Sequence, residues 1–135
     1  MGKILLAVSD RWVPDSRVDA IADFAQRLGH PILVVHVAFG IEQTNPARSG
    51  EKILTQIAAQ LRAKQPKVET LMMFSDDLGQ AILKTADEQG VTMIILGLSS
   101  KGMLTRLIEG NVAQEVIRNA TVPVLLLPAD WMNPI

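Results

Sequence analysis

Five short apolar runs punctuate the chain: Ile4–Val8, Ile32–Val37, Val68–Phe74, Met93–Gly97 and Val124–Leu127. Each is rich in Val, Ile, Leu or Met, and most lack the polar alternation of a half-wetted strand. Strands that are apolar on both faces predict a sheet covered by helices on both sides. Between the runs, apolar residues recur at three- and four-residue steps. Val18, Ile21, Ala22, Ala25 and Leu28 form one stripe, which predicts a helix opened by Ser16 and Asp19 as a capping box and stopped at Gly29. Ile53, Leu54, Ile57, Ala58 and Leu61 form a second, bounded by Pro66. A third helix is expected from near Gly79 to Gln89, with Ile82, Leu83 and Ala86 inward and Gly90 as its stop. A fourth, Asn111–Asn119, is expected to bury Val112, Val116 and Ile117.

This alternation predicts one α/β domain over residues 1–135: a doubly wound, five-stranded parallel sheet with right-handed crossovers, Rossmann-like in outline. The segment Phe39–Gly50, with Gly40, Asn45, Pro46, Ser49 and Gly50, is expected to be a soft connector. It follows the carboxyl end of the second strand, where open α/β sheets place ligands. A loop covering a ligand and a plain connector both remain open.

Composition narrows the picture. A chain of 135 residues, 48% hydrophobic, suits one core, because two domains would each be too small to bury enough surface. There is no cysteine, which excludes disulfides and thiolate metal sites. Lys and Arg number 13 against 14 Asp and Glu, aromatics are 4%, and no basic stripe carries interleaved aromatics, so no nucleic-acid partner is expected. The longest apolar runs, Ile32–Ala38 and Pro123–Pro128, are too short to cross a bilayer. Met1-Gly2-Lys3-Ile4 leads directly into a strand without a signal-peptide pattern, and Leu6 stands where myristoylation requires Ser or Thr. A cytoplasmic location without membrane association is the expectation.

The stretch with candidate chemistry runs from Gly97 through Ser99, Ser100, Lys101, Gly102, Arg106 and Gly110 to Asn111 and Val112. It leaves the fourth strand, passes a glycine-containing loop and enters the fourth helix. Unpaired N–H groups and the positive dipole end at a helix start can hold a phosphate, and glycines let the backbone approach it. Lys101 or Arg106 could add charge. The plainer alternative is that the glycines make turns and Asn111 caps the helix.

The chain resembles the universal stress protein family over nearly its whole length. Nucleotide-binding members carry Gly, two residues, Gly, nine residues, then Gly followed by Ser or Thr. Gly97 and Gly110 stand at the outer glycine positions of that motif, Ser100 at the middle one, and Asn111 at the Ser/Thr position. Lys3-Ile-Leu-Leu-Ala-Val8 and Val34-Val-His-Val37 are similar to the family's first two strands. Ala81–Ala86 with Thr92–Gly97 resembles its third helix and fourth strand, and Asn111–Ala120 with Thr121–Pro128 its closing helix and strand. The resemblance implies the adenine nucleotide alpha hydrolase-like fold and ATP or AMP as ligand, with magnesium only if ATP is bound. It implies adenine near Val8 and Val37 and ribose near Ser9 or Asp10. The phosphates would lie on Gly97, Ser99, Ser100, Gly102, Gly110, Asn111 and Val112. It also implies a homodimer through Val124, Leu125, Leu126 and Leu127.

The departures fall where a ligand would touch. Ser9 stands at the family's ribose-binding Asp, with Asp10 one residue later, and Ser100 adds a Cβ at a glycine position. A nucleotide-binding stress protein with altered affinity and a dimeric interaction module without nucleotide therefore both stay in view.

The remaining residues suggest structure. His36 is expected to be a buried, satisfied core histidine and His30 a solvated turn residue, which makes a histidine zinc site improbable on counting alone. Met72, Met73, Met93 and Met103 are expected to fill core gaps, Trp12 to cover core, and Trp131 to anchor a dimer partner. A phosphoacceptor receiver domain would match Asp10 and the pair Asp76-Asp77 loosely, but Leu127-Pro128-Ala129 supplies no Lys after the fifth strand. A flavodoxin-like carrier is disfavoured because Ser9–Asp15, with Trp12, Val13 and Pro14, is no phosphate loop. No nucleophile–base pair marks an enzyme, although slow ATP hydrolysis stays open.

Overall fold

The structure, a computed structural model, describes residues 2–8, 15–39, 45–97, 112–127 and 135. Along them run β1 (Ile4–Val8), α1 (Asp15–Leu28), β2 (Ile32–Phe39), α2 (Asn45–Arg62), β3 (Val68–Ser75), α3 (Leu78–Glu88), β4 (Met93–Gly97), α4 (Val112–Asn119) and β5 (Val124–Leu127). The strands form one sheet in the order β3-β2-β1-β4-β5. Every pairing is parallel, from Ile4↔Ile32 and Ile4↔Met93 at the centre to Ile32↔Val68 and Ile94↔Val124 toward the edges.

Two apolar layers sandwich this sheet. On one face Ile4, Leu6, Ile32, Val34, Ile95 and Leu127 pack with Val18, Ile21, Ala22 and Ala25 of α1 and with Leu54, Ile57, Ala58 and Leu61 of α2. On the other, Leu5, Leu33, Val35, Ile94 and Leu96 pack with Ile82 and Ala86 of α3 and with Ala113 and Val116 of α4. The two-sided apolar strands thus meet helices on both faces, as their composition requires. Each fully buried Ile or Leu contributes about 1.5–3 kcal/mol from area removed from water. Gly29 (φ 71°) and Gly90 (φ 67°) end α1 and α3 in the left-handed region that glycine enters without steric penalty. Met72 and Met93 pack against the first layer and Met73 against the second.

Several expectations need correction. The supposed soft segment is mostly regular: β2 continues to Phe39 and α2 already begins at Asn45, leaving only residues 40–44 between them. Pro46 fits because its fixed φ and missing N–H are no handicap in a first helical turn. Ser16 is not the cap of α1, since that helix starts at Asp15. Leu28 is 41% exposed and Ile117 is 51% exposed. Ile117 lies one position past the inward Val116, a rotation of about 100° around α4 that carries it off the buried stripe. His30 is not a freely solvated residue: its ring packs against Gly2, and its Nδ1 is buried with no hydrogen-bond partner among the described residues. Trp12, Met103 and Trp131 lie outside the described residues.

Candidate functional site

The four helices among the described residues all start at the carboxyl ends of the strands, so that end of the sheet gathers their N-termini. The strand order also reverses there. From β1 the chain goes through α1 on one face to β2; from β4 it goes through α4 on the opposite face to β5. The β1–β4 ladder ends at Ala7↔Leu96. Val8 keeps a partner only in His36 of β2, and Gly97 only in Leu127 of β5. Two strand ends whose connections diverge to opposite faces form the topological switch point at which open α/β sheets bind ligands.

His36 of β2 lies beside the last residue of β1. It is 5% exposed, and its Nδ1 lies 2.9 Å from the Val8 carbonyl oxygen. A carbonyl only accepts, so the ring carries its proton on Nδ1 and donates it. The expected buried, satisfied histidine is therefore present, bonded to the last residue of β1.

Of the sequence-derived site residues, Val8, Val37, Gly97 and Val112 are described. Val8 packs against the α1–α2 layer, whereas Val37 and Val112 pack against the α3–α4 layer. The side chains of Val8 and Val37 are thus on opposite faces, and only their main chains share the carboxyl rim. Ser9, Asp10, Ser99, Ser100, Gly102, Gly110 and Asn111 lie outside the described residues.

A second polar group at this rim was not anticipated. Asp77 caps α3, its side chain accepting from the Gln80 N–H at 3.1 Å. The Gln80 amide donates in turn to Glu115 of α4 at 2.8 Å. Glu115 lies directly over Gly79, where any Cβ would stand 3.1 Å from the Glu115 Cβ and closer still to its carboxylate. The missing side chain at Gly79 is what lets α3 and α4 approach. The cap at Asp77 is local, an Asp three residues before Gln80, whereas the link to Glu115 spans 35 residues and no local pattern reveals it. Capping also gives Asp77 a structural task, which weakens its match to a receiver's phosphoacceptor. Among the described residues no cluster of three or more His, Asp or Glu could hold a metal ion, and no helix is long and apolar enough to cross a membrane.

A profile of the universal stress protein family matches residues 1–128. The chain belongs to the universal stress protein family. Solved structures agree in fold. A universal stress protein from Archaeoglobus fulgidus in complex with dAMP is 23% identical, with a TM-score of 0.74 over 93% of this chain and 97% of that one. Another structure of a universal stress protein from Archaeoglobus fulgidus is 25% identical, with a TM-score of 0.76 over 93% of each chain. A universal stress protein in complex with cAMP is 15% identical, with a TM-score of 0.75 over 96% of this chain and 98% of that one. No curated protein matches the chain.

Proposed function

We propose that this universal stress protein binds an adenine nucleotide, AMP or ATP, in the crevice between the carboxyl ends of β1 and β4, and works as a cytoplasmic homodimer. The observation that supports this most is the ladder ending at Ala7↔Leu96, with the helices that follow β1 and β4 on opposite faces. Two relatives in fold were solved with dAMP and cAMP, which favours an adenine nucleotide as the class. In this reading the base meets the rim at Val8 and Val37, through main chain because their side chains diverge. The ribose faces Ser9 or Asp10. The phosphates rest on Gly97, Ser99, Ser100 and Gly102 and on the start of α4 at Gly110, Asn111 and Val112. Magnesium enters only with ATP.

Gly110→Val should weaken AMP binding by at least about tenfold in calorimetry, since a Cβ at a phosphate-cradling glycine blocks close approach of the backbone. Unchanged affinity would remove this site from the reading. Mass spectrometry of the freshly purified, denatured protein should release an adenine nucleotide.

The alternative, an interaction module without nucleotide, draws on the β5 edge. Leu126 is 39% exposed on the edge strand β5, and an exposed apolar edge favours pairing with a second copy. Leu126→Glu should turn a dimer into a monomer in light scattering; a variant with the same mass as the parent argues against β5 as the interface.

A further inference from the structure

The geometry points to His36 as a positioning residue of the crevice, acting through the Val8 carbonyl rather than by touching a ligand. This rests on the nucleotide reading above. Val8 is the final residue of β1, one step beyond the last β1–β4 pair, Ala7↔Leu96. It is the point at which the central strand loses one of its two neighbours. There a side chain from β2 adds a hydrogen bond of 2.9 Å to a carbonyl that the Val8↔His36 pairing already turns toward β2. His36 is paired in register with Val8, so its ring reaches across to the strand beside it instead of along its own. It is 5% exposed, and water is a poor substitute at such a site.

A peptide group is planar, so a carbonyl held in one direction also orients the amide bonded to it. A second bond on the Val8 carbonyl therefore stiffens the end of β1, next to the proposed ribose contact. His36 cannot act as a simple apolar filler in this role, because the function lies in the position of one N–H. Asparagine can place an amide N–H near the Nδ1 position, whereas glutamine places it near Nε2. The two variants differ in where the donor stands while both remain polar.

The test is AMP calorimetry on wild type, His36→Asn and His36→Gln, with far-UV circular dichroism to establish folding and ¹⁵N NMR of the imidazoles without nucleotide. The expected result is His36→Asn within about threefold of wild type, and His36→Gln weaker by about tenfold, the equivalent of one hydrogen bond. The NMR spectrum should report His36 protonated on Nδ1. Equal weakening of both variants, or no weakening of either, would overturn the positioning role, as would a ring protonated on Nε2 alone. If wild type binds no AMP, the nucleotide reading fails separately. Positioning is then decided by amide exchange across residues 4–8: faster in His36→Gln than in His36→Asn supports it, equal rates overturn it.

Discussion

The two ends of the sheet are built differently. At the amino end the strands are tied in by main-chain bonds from the segments before them: Ile4 N–H to Pro31, Ile32 to Lys67, Thr92 to Lys3, and Ile94 to Pro123, all at 2.8–3.0 Å. Side chains add to this. Gln65, 7% exposed, donates to the His30 carbonyl at 2.8 Å and accepts from the Lys67 N–H at 3.2 Å, and Arg62 donates to the Val68 carbonyl at 2.9 Å. At the carboxyl end the described ties are side-chain ones, His36 to Val8 and Asp77 through Gln80 to Glu115, and the central ladder stops. Main-chain closure makes the amino end a place where stability is held. Helix starts and diverging strand ends make the other a place where main-chain polar groups can be offered to a ligand.

Changes at the two ends should therefore separate stability from binding. The largest expected effect is at the amino end. Gln65→Ala strands the His30 carbonyl and the Lys67 N–H, so we expect about 2 kcal/mol of destabilisation, a fall in Tm of about 8 °C, with AMP affinity unchanged. A matching fall in affinity would break the contrast. At the carboxyl end Asp77→Ala removes one cap from α3 and should cost about 1 kcal/mol, seen as a smaller fall in Tm in the same thermal scans. If Asp77→Ala proved the more costly of the two, stability would not be concentrated where the main chain closes.

The sequence carried the architecture because period and burial coincide there. Val34, Val35, Ile94 and Ile95 are all at most 1% exposed, and residues buried on both strand faces must all be apolar. It misled where a local pattern has two physical outcomes. Asn45, Pro46, Ser49 and Gly50 are loop-forming in composition, yet Asn and Pro also start helices, and here they do. Ile117 fitted an apolar pattern but not the angle of the buried stripe. The proposed site could be named from the sequence as a place, after β1 and β4, but the contacts beside it could not. His36 meets Val8 across 28 residues and Gln80 meets Glu115 across 35, and both meetings depend on strand order and helix packing that alternation alone does not specify.

Glu115 gives the smallest effect and the sharpest form of the contrast. It stands in the first turn of α4, where a carboxylate complements the positive end of the helix dipole by about 0.3–1 kcal/mol. The same negative charge opposes an anion bound at that helix start. Glu115→Gln keeps an oxygen to accept the Gln80 amide and keeps the packing over Gly79, but it removes the charge. Stability should fall by a few tenths of a kcal/mol while AMP binds about two- to fivefold more tightly, the gain shrinking as salt is added. One substitution would then move the two quantities in opposite directions, which a purely structural role for α4 does not produce. Weaker AMP binding in Glu115→Gln would mean that the phosphate does not lie at this helix start, whatever else the crevice holds.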